Sequence, residues 1–157
     1  MATPPDNPNN IRRATADDLD SLTPLFDAYR VFYKQPSDPD AARAFLSDRI
    51  SRDESVVFLA IANGVPAGFA QLYPAFSSVR LGTDWVLNDL FVAPPNRGFG
   101  VGRALTVRCM DHAQETGALS LELLTEVTNT PAQALYESLG WKRTTDYYRY
   151  TFRVPNP

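Results

Sequence analysis

The stretch LNDLFVAPPNRGFGVGRALT, residues 87–106, decides the fold. An apolar run ends in Pro94 and Pro95; Arg97 follows, then Gly98, Gly100 and Gly102 at every second position, then a helix-forming run. Glycine lets the backbone take conformations closed to other residues and lets its N–H groups approach an anion closely. The first turn of the following helix adds N–H groups without intrahelical acceptors and a partial positive charge. The loop is therefore predicted to bind a phosphate or pyrophosphate, with Arg97 and Arg103 placed to add charge-assisted bonds. A tight strand-to-helix turn with no ligand would need the same glycines, since a glycine-rich loop alone is a weak signal. The chain has no G-x-x-x-x-G-K-[ST], and its glycines are not in the G-x-G-x-x-G order of dinucleotide-binding domains.

Working outward, DWVLNDLFV (84–92) reads as the strand before the loop, residues 100–116 as a helix stopped by Gly117, and LSLELLT (119–125) as the next strand. Strand, helix and strand in that order imply one right-handed parallel crossover in a mostly antiparallel sheet. Upstream, SVVFLAIA (55–62) and VPAGFAQLYPAF (65–76) flank Asn63-Gly64, the strongest short hairpin signal. IRRA (11–14) is a short first strand. Thr15 caps a helix carrying Asp17 and Asp18 in its first turn, with Leu19, Leu22, Leu25 or Phe26, Tyr29 and Phe32 or Tyr33 at helical spacing and Pro24 expected to bend or split it. DAARAFLSDRIS (40–51) is a second helix. PAQALYESLG (131–140) is the last, with Pro131 in its first turn and Gly140 past its end. WKRTTDYYRYTFRV (141–154) closes as an expected hairpin with an ill-defined turn.

The 157 residues suit one domain spanning 11–157 behind a loose, proline-rich tail, MATPPDNPNN (1–10), that has no secretory pattern. A net charge of -3 argues against a general binder of nucleic acid or of anionic membranes. No apolar run approaches the ~20 residues of a membrane span. The single cysteine, Cys109, permits no internal disulfide, which suits a reduced cytoplasm. The acidic residues show no zinc or calcium spacing, so no metal is expected. Cys109 reads as core, and His112, the sole histidine, as a surface or boundary residue of the helix they share.

Two motifs carry a family resemblance. RGFGVG (97–102) resembles the Q/R-x-x-G-x-G/A signature of the GNAT superfamily of acyl-CoA-dependent N-acyltransferases, and NTPAQALYESLGW (129–141) is similar to that superfamily's N-x-x-A-x-x-L-Y-x-x-x-G-[FW] segment. IRRATADD (11–18) looks like its usual opening, so the resemblance runs from about Ile11 to Val154. It implies a mixed α+β fold: a mostly antiparallel sheet of about six or seven strands with one splayed parallel pair, and about four helices. It also implies acetyl-CoA as cofactor, direct transfer to a primary amine of a small molecule, and a homodimer. A protein or peptide acceptor, or a non-catalytic acyl-CoA-binding module, stays open.

By the same resemblance, the amides of Leu90 and Val92, with Phe91 between them, hold the pantetheine and the acetyl oxygen. The loop from Arg97 through Gly98, Phe99, Gly100, Val101 and Gly102 to Arg103 binds the pyrophosphate, and Asn129 contacts the cofactor arm. Tyr136 matches the general acid, although a tyrosine packed with Leu135 and Leu139 could equally be core. Asn88 falls where many members carry a glutamate base, and Asn cannot take a proton; the neighbouring Asp89 is the candidate base, acting directly or through water, with Glu126 weaker and a water chain with no dedicated base an equal alternative. Strand alternation sets Asn88 and Asp89 on opposite faces unless a bulge intervenes. Tyr29, Phe32, Tyr33 and Tyr73, together with Phe76 and Asn88, are the candidate amine-pocket residues.

Overall fold

The computed structural model describes residues 10–155; the expected tail lies, apart from Asn10, outside the described residues. Asn10 itself is tied to the sheet, its carbonyl accepting from Ile61 N–H at 2.9 Å. The chain then forms β1 (Ile11–Arg13), α1 (Leu19–Phe32), α2 (Pro39–Ser51), β2 (Val56–Ala62), β3 (Val65–Ser77), β4 (Gly82–Val92), α3 (Val101–Glu115), β5 (Ser120–Glu122) and α4 (Thr130–Ser138). It divides into two compact units, one ending at Leu124 and one beginning at Thr125.

In the first unit the strands lie in chain order, β1 to β5. All pairs are antiparallel except β4 and β5, which run parallel. Asn63 and Gly64 both take positive φ, 52° and 74°, as the tight β2–β3 turn requires. Thr15 begins the first helical segment with a capping box: its side chain accepts from Asp17 N–H, and its N–H donates to Asp18 Oδ2 at 2.8 Å. Pro24 does not split α1, which runs unbroken from Leu19 to Phe32. Pro24 is the sixth residue of the helix, where the missing N–H costs one hydrogen bond and the buried face on either side keeps the element together.

Period-two alternation sends the strand side chains to two opposed cores. Val57, Leu59, Phe69 and Phe91 pack with Leu22, Leu25, Phe26, Ala42 and Leu46 of α1 and α2. Phe58 faces α3, where its ring meets the His112 ring at 5.6 Å and the Arg108 guanidinium at 4.7 Å. His112 is thus buried, not at the surface: the rings of Phe58 and Trp85 cover it. Cys109 is in the core, as expected.

The second unit contains α4, capped by Asn129, whose Oδ1 accepts from Ala132 N–H at 3.3 Å. Residues 141–155 form no strand, so the expected closing hairpin is not made, and among the described residues the sheet has five strands rather than six or seven. Tyr147, Tyr148, Tyr150, Phe152 and Val154 stay exposed. No Asn-Gly or Asp-Gly pair fixes a turn in this segment, and a two-stranded hairpin without a third strand is marginal in water.

Candidate active site

Strand β4 joins the features of the site. It pairs with β5 only over Asp84–Val86 against Ser120–Glu122, so its edge from Leu87 onward is left by its parallel neighbour. On its other side, Ala93 N–H donates to Ala67 O at 2.8 Å, and the register with β3 is unbroken from Gly68–Val92 to Gln71–Asp89. In an antiparallel ladder, successive residues turn their backbone groups alternately toward and away from the partner. Phe91 and Asp89 therefore bond across to β3, while Leu90 and Val92 turn their N–H groups to the open edge. The two amides named from sequence are those left available for an extended ligand.

The open edge runs into the glycine loop. Pro94–Asn96 make one 3-10 turn, and Gly98 and Gly100 take φ of 83° and 84°, the left-handed region that glycine alone enters without strain. A Cβ at either position would find nothing within 4 Å, so the space above the loop is free for a ligand. Helix α3 has no side-chain cap, and the amides of Val101, Gly102 and Arg103 precede its first i→i−4 bond, from Ala104 N–H to Gly100 O. This cradle of amides at the positive end of a 15-residue helix fits a pyrophosphate. Arg97 folds back: Nε donates to Val92 O at 2.9 Å, and the guanidinium lies 5.6 Å from the Phe91 ring and 5.9 Å from Phe32. It braces the loop against the end of β4 and of α1. Phe99 is half-buried in the same loop.

Beside this edge lies a buried carboxylate. The β3–β4 register shifts between Gln71 and Leu72, which pair with Asp89 and Leu87, so Asn88 is the extra residue of a bulge. The bulge cancels the expected alternation, and Asn88 Nδ2 donates to Asp89 Oδ1 at 2.9 Å. Gln71 Nε2 donates to Asp89 Oδ2 at 2.6 Å, and the Tyr29 hydroxyl bonds to the same carboxylate. Burial holds the Asp89 carboxyl above the usual carboxylate range against the opposing pull of these three donors. Burial and the neighbouring Asp89 push the Tyr29 phenol up, and that of Tyr73 to about 12.

Aromatic rings surround the carboxylate. Tyr29 stacks edge-on with Phe69 and Tyr33, at 5.8 Å and 5.1 Å, and lies 6.2 Å from Phe91; Phe32 continues the run at 5.2 Å from Tyr33. The α1–α2 loop that follows is held by Asp27, which accepts from Ser37 Oγ at 2.6 Å and Asp38 N–H at 2.8 Å. An open groove of about 820 Å³ leads away from Asn88, lined by Phe45, Arg49, Tyr73 and Pro74 among others. Phe76, by contrast, is 82% exposed and takes no part in this cluster.

The structure thus gathers Asp89, Asn88, Tyr29 and Tyr33, with Phe91 and Tyr73 beside them, and sets the loop residues at the end of the same strand. Asn129 and Tyr136 belong to the second unit. There Tyr136 is half-buried, its ring 5.6 Å from Trp141 and its carbonyl accepting from Leu139 and Trp141 N–H. Gln71 was missed from sequence. Its signal was one polar residue inside the apolar strand VPAGFAQLYP (65–74), the only amide at an inward position of β3.

Residues 20–141 match the model of the acetyltransferase (GNAT) family. The chain belongs to that family. A relative from Bacillus subtilis (strain 168), "Uncharacterized N-acetyltransferase YhfO", is 44% identical over 93% of this chain and 98% of its own length. A crystal structure of a probable acetyltransferase superposes with a TM-score of 0.88 at 40% identity, over 94% of this chain and 99% of the other. An aminoglycoside N-acetyltransferase, AAC(6')-Iy, solved in complex with CoA, shares the fold with a TM-score of 0.74 at 24% identity, over 92% of this chain and 95% of the other. The GNAT architecture expected from the motifs is present: a mixed sheet with one parallel pair, and four α-helices.

Proposed function

We propose that this GNAT protein transfers the acetyl group of acetyl-CoA directly to a primary amine of a small molecule. The observation that carries this reading is the continuity of β4: an open backbone edge at Leu90 and Val92, a phosphate cradle at its end, and a buried carboxylate, Asp89, one residue from that edge. Bound acetyl-CoA supplies an activated thioester. The chain supplies the rest. The amides of Gly98 to Arg103 take the pyrophosphate, and the Leu90 and Val92 edge takes the pantetheine as an added strand. A backbone N–H on that edge can stabilise developing negative charge on the acetyl oxygen.

The acceptor must lose a proton. An aliphatic amine with a pKa near that of lysine, about 10.4, is neutral in only about one molecule per thousand at pH 7. Asp89 takes that proton directly or through a water, helped by a carboxyl held above its usual range. Tyr136 gives a proton to the departing thiolate, a role that the family resemblance supports. Tyr29, Tyr33, Tyr73 and Phe32 shape the acceptor site, and Asn129 touches the cofactor arm. The same resemblance supports a single domain over 11–157 and a homodimer, and the single cysteine suits a cytoplasmic location. No helix among the described residues is long and apolar enough to cross a membrane.

A second reading, a peptide or protein amine as acceptor, is favoured by one observation: the groove beside Asn88 is open to solvent. Thiol release from acetyl-CoA, measured with polyamines, free amino acids and a lysine peptide, separates the two. Turnover with the peptide alone would remove the small-molecule reading, and release with no acceptor in a wide panel would remove the enzyme. In the active pair, Tyr136→Phe should lower kcat about 10²-fold with little change in acetyl-CoA binding. Unchanged kcat with chemistry rate-limiting returns Tyr136 to a packing role. A monomer by light scattering removes the dimer.

A further inference from the structure

Gln71 lies mid-way along β3 with no exposed surface, although the strand around it is apolar. Burying an amide is unfavourable unless both ends are paired. Here one end is: Nε2 donates to Asp89 Oδ2 at 2.6 Å, while Oε1 has no partner among the described residues. The amide cannot improve this by turning over. An ionised carboxylate only accepts, so Oε1 toward Asp89 would oppose two acceptors. Leucine or methionine would fill the same volume with no orphaned oxygen. Packing therefore does not account for glutamine at this position, whereas the bond to Asp89 does.

The two carboxylate oxygens differ in their surroundings. Oδ2 is held by Gln71, which cannot move without disturbing the sheet core. Oδ1 accepts from Asn88, the exposed bulge residue that lines the groove. We propose that Gln71 is a positioning residue for Asp89, fixing Oδ2 so that the carboxylate receives the acceptor's proton on Oδ1, the oxygen on the groove side. The step moves one proton from the acceptor nitrogen to Oδ1 and leaves the nitrogen lone pair free for attack. This rests on Asp89 being the base.

The groups that face the carboxylate are Tyr29 from α1, Gln71 and Tyr73 from β3, and Asn88 from β4; Tyr33 of α1 and Arg49 of α2 act on those tyrosines. Gln71 donates more strongly to the charged form than to the neutral one, so it lowers the carboxyl pKa against burial. Gln71→Met keeps the length and removes the donor, and should move the acid limb of kcat/KM to higher pH. At pH 6 the loss should exceed the loss at pH 8 by about tenfold. Gln71→Leu serves the same end if methionine packs poorly, and the melting temperature checks the fold.

A second readout does not depend on turnover. The Asp89 carboxyl, followed by ¹³C NMR in the full chain, should titrate at higher pH in Gln71→Met than in the wild type. An unmoved midpoint, or the same fractional loss of kcat/KM at every pH, overturns the role of Gln71 while leaving Asp89 as base. Wild-type kcat/KM in Asp89→Asn removes the base itself, and the positioning role with it.

Discussion

On the sheet face covered by α1 and α2, Asp89 is 4% exposed and accepts from Gln71, Asn88 and Tyr29; on the opposite face His112 is 7% exposed, and its Nε2 has no partner among the described residues. Burial pushes each toward its neutral form, raising the aspartic carboxyl and lowering the imidazole. What separates them is convergence. Donors from three elements meet at Asp89, at an open strand edge beside a groove. His112 sits between the Phe58 and Trp85 rings, and Arg13 and Arg108 add to its neutrality. Burial alone does not single out a titratable group; at Asp89 it is joined by converging donors, one of which, Asn88, lines the groove.

The largest expected effect tests the first half of that contrast. Asp89→Asn should lower kcat/KM at neutral pH about 10²-fold. The deficit should shrink as pH rises, because more of the acceptor is already neutral. Stability should move differently from activity. A carboxyl raised above its unfolded value destabilises the native state as pH climbs through that window, so at pH 7 Asp89→Asn removes an unfavourable buried charge. A stable variant with wild-type kcat/KM at pH 7 would place Asp89 alongside His112, as buried but idle, and shift attention to Glu126 or a water chain.

A smaller effect divides helix α3 itself, since its first turn faces the cradle while its body carries His112 into the core. Gly100→Ala should lower acetyl-CoA affinity at least tenfold, about 1.4 kcal/mol, by placing a methyl in the ligand's space. Gly64 in the β2–β3 turn is the matched control. It too has positive φ and nothing within 4 Å of a Cβ, so Gly64→Ala meets comparable backbone strain. Calorimetry showing equal acetyl-CoA binding in a folded Gly100→Ala variant and the wild type would return the loop to a plain strand-to-helix turn.

The parts of this structure legible in the sequence are those with local causes. Asn63-Gly64 fixed a hairpin, Pro131 and Gly140 bracketed α4, and the strand, glycine loop and helix around Gly98–Gly102 located the crossover. The pieces that were not legible depend on partners distant in sequence. The bulge at Asn88 exists only against Gln71 and Leu72, so the meeting of Asn88 with Asp89 could be raised but not settled. Gln71 gained meaning only once Asp89 stood opposite it. The burial of His112 required Phe58 and Trp85 to arrive from β2 and β4. Residues 141–155 carry a strand-like pattern but form no strand, because alternation by itself makes no ladder.

The smallest effect tests the second half of the contrast, and pH isolates it. His112 is the sole histidine, and its imidazole titrates below its ordinary value of about 6.5 in the folded chain. Below pH 7 the unfolded chain takes up a proton that the native state refuses. Stability therefore falls as pH drops from 7 toward the lowered native pKa. Asp89 acts in the opposite direction wherever it titrates, because the native state binds its proton first. Comparing the wild type with His112→Leu cancels that contribution. Leucine has similar volume and no unpartnered nitrogen, so at pH 7 the two should lie within about 1 kcal/mol. Between pH 7 and 5 the wild type should lose melting temperature that His112→Leu keeps, with kcat/KM at neutral pH alike in both. Parallel melting curves across that range would show that His112 titrates in the fold as it does in the unfolded chain, and loss of activity in His112→Leu would make the α3 face part of the chemistry.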